Sequence, residues 1–179
     1  MSDARLWYLE FPRTAAKNLR LQAAAAGVRV GRLHVSGTTE RRHHLARVTL
    51  ADLSLDTGPY NGHTSAGDAT WMGVVGVTAL GGMMQSRVAA SYAVNAGGAY
   101  TVVRSMKEYE DAVERVEGWR LEVARERLKE MRWRSAAFDT EGWVEAFGRG
   151  VVMMNELERW RLKPMHLVVE GITWVSGSK

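Results

Sequence analysis

Cysteine is absent from the chain, and its absence excludes several kinds of chemistry at once. Disulfide bonds, thiolate zinc sites and thiol nucleophiles all need cysteine side chains. Without disulfides the usual reason to expect secretion is also removed. Cysteine content alone does not fix the compartment, but together with the lack of a signal-peptide pattern it leads us to expect the protein in the cytoplasm or in a virion.

A leader sequence and a long apolar run are lacking too. Residues 1–11 show no basic segment followed by an apolar one, as a signal peptide would. The longest weakly charged stretch, residues 69–85, is glycine-rich and too short to span a bilayer. We therefore expect no membrane partner.

The sequence also contains no motif that is typical of catalysis or cofactor binding. No glycine pattern forms the dinucleotide fingerprint, and no Gly-Lys-Ser/Thr phosphate loop occurs. The histidines fall outside the predicted helices and show no metal-ligand spacing. His63, Ser65 and Asp68 share one short predicted loop, which favours turn-forming polar residues over a nucleophilic triad. The sequence thus predicts no catalytic residue, metal, cofactor or small-molecule ligand.

What the chain does contain is an ordinary globular composition with an uneven charge. It is 46% hydrophobic and 25% charged, which argues against a disordered chain, and its net charge is +4. Lys and Arg outnumber Asp and Glu in residues 1–60, whereas residues 105–179 are near neutral. This excess of basic residues favours a polyanionic partner, although a positive charge of this size is also common in proteins that bind no polyanion.

The first part of the chain predicts an early β-α-β-β unit and then a loop. Residues 5–11 and 28–36 are typical of strands, and they flank an alanine- and leucine-rich helix over residues 14–26. Residues 44–55 follow as a third strand. Residues 56–69 are dense in Gly, Asn, Asp, Ser and Pro, and this loop is long enough to carry function.

Residues 70–104 admit two interpretations. The favoured one is a β-meander, because glycine pairs at 81–82 and 97–98 lie where turns are needed. Every second residue of one segment is suited to the same face of a strand: Val88, Ala90, Tyr92 and Val94. The alternative makes residues 83–93 a helix of small side chains.

The last third of the chain predicts two long, charge-laced helices. Ser105 begins a capping box, and its helix runs to about residue 134, with Gly118 as a point where it could break. Asp139 or Thr140 caps the second helix. Residues 167–175 predict a final strand.

Together these elements predict an α+β fold of one domain, residues 1–179. It has a mainly antiparallel sheet, built from the early β-α-β-β unit and the central β-meander, with the two long C-terminal helices packed on it and a final strand. The charges of these helices balance internally and indicate solvated faces. We therefore expect the functional surfaces of the protein to lie in its basic first third and in its uncharged middle.

The first of these surfaces is basic and lies within residues 29–47. Arginines on a turn and on alternating strand positions would position phosphates of a nucleic acid, and a solvated hairpin tip is the alternative. The candidate nucleic-acid-binding residues are Arg29, Arg32, Arg41, Arg42, His43 and Arg47.

The second surface is the nearly uncharged, methionine-containing middle of the chain. Such a surface is costly to expose and natural to bury against another subunit, and methionine adds adaptable apolar area. The candidate oligomer-interface residues are Trp71, Met72, Met83, Met84 and Tyr92.

Three functional hypotheses follow from these surfaces. The first is a non-enzymatic, self-assembling structural protein, such as a tail, connector or coat subunit of a virion, with a homo-oligomer as its expected state. The alternative is a nucleic-acid-binding protein that uses residues 29–47. The second alternative is an enzyme with a site in the 56–69 loop. Since that last hypothesis rests on loop length alone, the sequence leans against an enzyme.

Overall fold

The computed structural model describes residues 4–12 and 14–170. They form five strands and seven α-helices. The strands are β1 (Leu6–Leu9), β2 (Leu33–Ser36), β3 (Leu53–Leu55), β4 (Val75–Ala79) and β5 (Val102–Val103). The helices are α1 (Ala15–Ala25), α2 (Arg41–Val48), α3 (Thr64–Trp71), α4 (Val88–Asn95), α5 (Met106–Arg115), α6 (Trp119–Met131) and α7 (Thr140–Arg159).

All strand pairs among the described residues are parallel, so the prediction of a mainly antiparallel sheet is wrong. β1 pairs with β2, and β4 lies between β3 and β5. Parallel neighbours need crossover connections, and a helix supplies each of them. Parallel strands covered by helices lose the alternation of polar and apolar residues that marks an antiparallel sheet.

The predicted β-α-β-β unit is wrong in its last strand. Residues 44–55 divide into the end of α2, a turn and the three-residue β3. Leu45 and Val48 are three residues apart, which places both on one helix face, and Val48 is buried beside Ala69 and Val74. Packing of that single apolar face decides for a helix where the local pattern favoured a strand.

The predicted central β-meander is wrong as well. The glycine pair at 81–82 leads towards α4 and not into a returning strand, and the strands of the segment are β4 and β5. A helix in this region was the open alternative, although α4 begins at Val88 instead of residue 83. Its buried residues Ala89 and Ala90 are small, and small side chains let a helix approach a sheet closely.

The predicted helix over residues 105–134 is two helices. α5 and α6 are separated at Gly118, whose φ of 56° is a backbone conformation that favours glycine. The predicted cap is confirmed, since the Ser105 hydroxyl accepts the Glu108 N–H at 3.2 Å. The Asp139 carboxylate likewise accepts the Gly142 N–H, at 2.9 Å, and caps α7.

The second of the two long helices predicted to pack on the sheet is α7, and for α7 this prediction is wrong. α5 and α6 contact β4, whereas nearly every side chain of α7 is exposed or half-buried. Residues 167–170 form no strand, and the rest of the predicted final strand, residues 171–175, lies outside the described residues. Within the described ranges no helix combines the length and apolar character needed to cross a membrane.

Candidate functional site

The carboxyl ends of the parallel strands bring two helix N-termini to one edge of the fold. The chain leaves β2 into α2, and it leaves β3 through residues 56–63 into α3. Although β2 and β3 belong to different sheets, one cavity is lined by the end of β1 and by residues directly after β3, so the carboxyl ends of both sheets face it. In open parallel α/β sheets this edge is where ligands bind.

Both helix N-termini offer unsatisfied backbone N–H groups. Within the described chain, neither α2 nor α3 has a side-chain cap or an acidic residue in its first turn. The first N–H groups of a helix have no partner inside the helix, and the helix dipole makes that end positive. Two uncapped N-termini at one edge therefore form a place suited to a phosphate group.

Arg41, at the first position of α2, reaches across to α3. Its Nη2 donates to Asp68 Oδ1 at 2.9 Å, and His44 Nε2 lies 3.9 Å from Asp68 Oδ2. The Asp68 side chain is 11% exposed and that of Arg41 is 68% exposed. A buried carboxylate thus fixes the direction of a cation that remains open to solvent.

The loop before α3 presents a histidine and two hydroxyls. The rings of Tyr60 and His63 stack with centroids 4.7 Å apart, and His63 Nε2 lies 3.3 Å from the carbonyl oxygen of Gln85. Thr64 and Ser65 follow as the first two residues of α3. We define the edge site as the set Arg41, His44, His63, Thr64, Ser65 and Asp68.

A cavity of about 320 Å³ opens beside this edge. Tyr8 and Leu9, at the end of β1, line it together with Asp56, Gly62 and Ser65 from the region between β3 and α3. The two sheets therefore share one cavity, although no strand pair joins them in the described chain. Its size is at the lower end of the range typical of small-molecule sites.

Arg47, in the last turn of α2, reaches back to the segment between β2 and α2. Its Nη1 donates to the carbonyl oxygen of Gly37, directly after β2, at 3.1 Å, and its guanidinium lies 5.2 Å from the Trp7 ring centroid. Its Nε and Nη2 are buried and have no hydrogen-bond partner among the described residues. Buried donors without a partner cost free energy, and a ligand carbonyl would satisfy them.

Tyr109 of α5 is hydrogen-bonded to the first residue of the 56–63 loop. Its hydroxyl donates to the carbonyl oxygen of Asp56 at 2.9 Å. Burial, assisted by the charge of Asp56, raises the pKa of Tyr109 to about 12. The neutral phenol is therefore the form that the fold stabilises.

This pKa predicts a loss of stability in strong alkali. Because the pKa is raised in the folded state, the contribution of Tyr109 is complete below about pH 10 and is lost as the pH rises through about 12. Urea unfolding at several pH values between 9 and 12 should show the free energy of unfolding falling. Tyr109→Phe should flatten this fall, and an unchanged slope in the variant would contradict the assignment.

The predicted basic surface is divided by the fold. Arg41, Arg42, His43 and Arg47 lie on α2, where only Arg41 joins the edge site. Arg29 and Arg32 lie before β2, at the opposite end of that strand, and line a separate shallow pocket. The six residues do not form one face, and binding of nucleic acid stays a prediction.

The predicted oligomer-interface residues are also separated. Trp71 and Tyr92 pack against the Phe138 ring, with centroids 5.0 and 6.0 Å from it, and Met72 packs on the cluster around Val74. Met83 and Met84 are exposed in the loop after β4. A homo-oligomer stays a prediction.

α7 carries the most exposed apolar stripe among the described helices. Trp143, Phe147, Val151 and Met154 recur at three- and four-residue spacing and are all exposed. This apolar face was absent from the sequence-based candidates for an interface.

The sequence reasoning missed His44, Thr64, Ser65 and Asp68 as members of one site. His44 was placed on a strand, and residues 62–68 were taken for turn residues. The local signal was weak, because the N-cap residue of α3 is His63 and not the Ser, Thr, Asp or Asn that usually marks a helix start. Among residues 4–12 and 14–170, no group of three His, Asp or Glu side chains could hold a metal ion.

Comparison with known proteins places this geometry in a family. Residues 1–147 match the model of "Glycosyl transferase family 41". The chain is 32% identical over 170 residues to a probable UDP-N-acetylglucosamine–peptide N-acetylglucosaminyltransferase of Arabidopsis thaliana, covering 93% of this chain and 17% of that protein. It is 34% identical over 104 residues to a UDP-N-acetylglucosamine–peptide N-acetylglucosaminyltransferase of Caenorhabditis elegans, covering 58% and 9%.

A solved structure shows the same fold. A mutant of the Thermobaculum terrenum O-GlcNAc transferase superposes with a TM-score of 0.68 and 31% sequence identity, covering 76% of this chain and 27% of that one. This chain therefore spans a minor part of the length of each of these relatives.

These matches overturn the leading functional hypothesis. The relatives are transferases, so a non-enzymatic structural protein of a virion is wrong, and so is the leaning against an enzyme. Of the three hypotheses, only that of an enzyme is compatible with the match over residues 1–147. The chain belongs to glycosyl transferase family 41.

Proposed function

We propose that this chain binds the nucleotide of UDP-N-acetylglucosamine at the edge site, as the donor-binding part of a family 41 glycosyltransferase. The observation that carries the proposal is the ion pair between Arg41, at the uncapped N-terminus of α2, and Asp68 of α3, whose own uncapped N-terminus borders the cavity at Ser65. The names of the Arabidopsis and Caenorhabditis relatives supply the nucleotide sugar.

The diphosphate is the group that this geometry suits best. It carries negative charge, and the backbone N–H groups of α2 and α3 together with the Arg41 guanidinium offer positive potential. In glycosyl transfer the bond between the sugar and the terminal phosphate oxygen breaks, so negative charge develops on the departing UDP. Fixed donors at that position stabilise the leaving group.

The nucleoside part has candidate partners nearby. Asp68 can accept from ribose hydroxyls, as carboxylates commonly do in nucleotide-binding α/β folds. The unpartnered Nε and Nη2 groups of Arg47 can donate to a carbonyl oxygen of the uracil base. These assignments replace the expectation that no small-molecule ligand is bound.

The proposal for this chain concerns binding of the donor nucleotide. Transfer to a peptide is the activity named for the Arabidopsis relative, of which the chain spans 17%. A binding measurement therefore tests the proposal directly, without requiring turnover.

Calorimetric titration with UDP gives that test. Arg41→Ala should raise the dissociation constant about tenfold, the loss expected for one charge-assisted contact with a phosphate. Arg32→Ala is the matched control, because it removes the same charge at the opposite end of β2. This control should bind UDP as the unaltered chain does.

Two results would contradict the proposal. One is the absence of UDP binding by the unaltered chain at millimolar concentration. The other is an equal loss of affinity in Arg41→Ala and Arg32→Ala, which would indicate a general effect of charge. Titration with uridine adds a further check, since its binding should be weaker than that of UDP by more than about tenfold if the diphosphate is recognised.

A further inference from the structure

Asp56, the first residue after β3, makes four hydrogen bonds with three separate parts of the fold: β4, the segment before α3, and α5. Its N–H donates to the carbonyl oxygen of Val77 on β4 at 3.0 Å. Its Oδ2 accepts the Thr78 hydroxyl and its Oδ1 accepts the Gly62 N–H, both at 2.6 Å. Its carbonyl oxygen accepts the Tyr109 hydroxyl of α5.

The contact with Gly62 closes the loop over residues 56–62. Gly62 immediately precedes His63 and the first turn of α3, so the position of its N–H sets where that helix begins. A Cβ added at Gly62 would lie 2.7 Å from Ser65 Oγ, which shows how closely the loop folds over the helix start. The carboxylate of Asp56 thus holds the two ends of the loop together.

The contact with Thr78 ties this loop to the rigid part of the sheet. Thr78 is 1% exposed, and a buried hydroxyl needs a hydrogen-bond partner, which Asp56 provides. Both carboxylate oxygens of Asp56 are therefore engaged by donors of this chain. That occupancy suits a residue that holds others in place more than one that exchanges protons with a substrate.

We propose that Asp56 is the positioning residue of the donor site: it couples the N-terminus of α3 to β4 and α5 so that the N–H groups of Thr64 and Ser65 are held ready for the diphosphate. This inference rests on the proposed binding of UDP. It goes beyond that proposal by assigning the order of the α3 N-terminus to one carboxylate outside the edge site.

The experiment compares Asp56→Ala, Asp56→Asn and Thr78→Val with the unaltered chain. Asparagine keeps an oxygen that can accept from Gly62, and its amide can donate to the Thr78 hydroxyl, whereas alanine removes both contacts. We expect the dissociation constant for UDP to rise at least about tenfold in Asp56→Ala and less than about threefold in Asp56→Asn. Thr78→Val should fall between them.

Amide hydrogen exchange of the unliganded protein provides a readout that does not depend on UDP. The Gly62 amide should exchange at least about tenfold faster in Asp56→Ala, while amides of the β4 core keep their protection. Asp56→Asn should restore protection at Gly62. A purely structural role would instead accelerate exchange throughout the fold.

The outcomes separate this inference from the proposed function. If the unaltered chain fails to bind UDP, the proposed function fails, and the inference fails with it as a statement about a donor site. If UDP binds normally and Asp56→Ala changes neither its affinity nor the exchange of Gly62, only the inference is overturned. A uniform loss of protection in Asp56→Ala would overturn it too, and Asp56→Asn then shows whether the fold can tolerate the change.

Discussion

Asp68→Ala should weaken the binding of UDP by more than about tenfold, a larger loss than that of Arg41→Ala. The carboxylate of Asp68 fixes Arg41 through a 2.9 Å hydrogen bond and lies 3.9 Å from His44. Its removal frees the Arg41 side chain, which must then lose rotamer freedom when the ligand binds. It also removes the acceptor proposed for the ribose hydroxyls. Calorimetric titration with UDP measures the loss.

Asp52→Ala is the matched control for this prediction. Asp52 is exposed before β3, so its replacement removes the same charge away from the edge site. The control should bind UDP normally. A thermal unfolding curve of Asp68→Ala should accompany the titration, because Asp68 also joins α2 to α3. Unchanged affinity in a folded Asp68→Ala chain would remove Asp68 from the site.

Leu128→Ala should lower the free energy of unfolding by about 3 kcal/mol. Leu128 is 8% exposed on α6 and belongs to the buried cluster that joins this helix to β4. Alanine removes apolar contacts and leaves a cavity between Val75, Ala96 and Ala124. Urea unfolding followed by circular dichroism measures the change.

Leu50→Ala is the control for this second prediction, because Leu50 is 82% exposed and its truncation should cost less than about 0.5 kcal/mol. Equal midpoints for the two leucine variants would show that the α6 cluster does not support the fold.

The candidate site shows why local patterns were insufficient. Arg41 was selected from the sequence as a phosphate-binding residue, but its partner Asp68 is 27 residues away on another helix. No spacing rule connects them, because the distance depends on how α2 and α3 pack. Because residues 44–55 were assigned to a strand, His44 was not considered as a neighbour of Arg41 on one helix. Residues 62–68 were assigned to a loop because Thr, Ser and Gly are common in turns.

By itself the sequence determined the features that depend on a residue and its immediate neighbours. The end of α1 at Gly27, with a φ of 79°, the cap of α5 at Ser105 and the break at Gly118 all follow from local backbone and hydrogen-bonding preferences. The absence of cysteine chemistry is likewise a property of composition.

Only the tertiary structure decided that the strands are parallel, that residues 41–48 and 88–95 are helices, and that Arg41 of α2 contacts Asp68 of α3. Strands of two to five residues and helices of eight carry too little pattern to choose their own structure. Burial against β4 and its neighbours determines the secondary structure of these segments, because it stabilises contacts that no short segment can form alone.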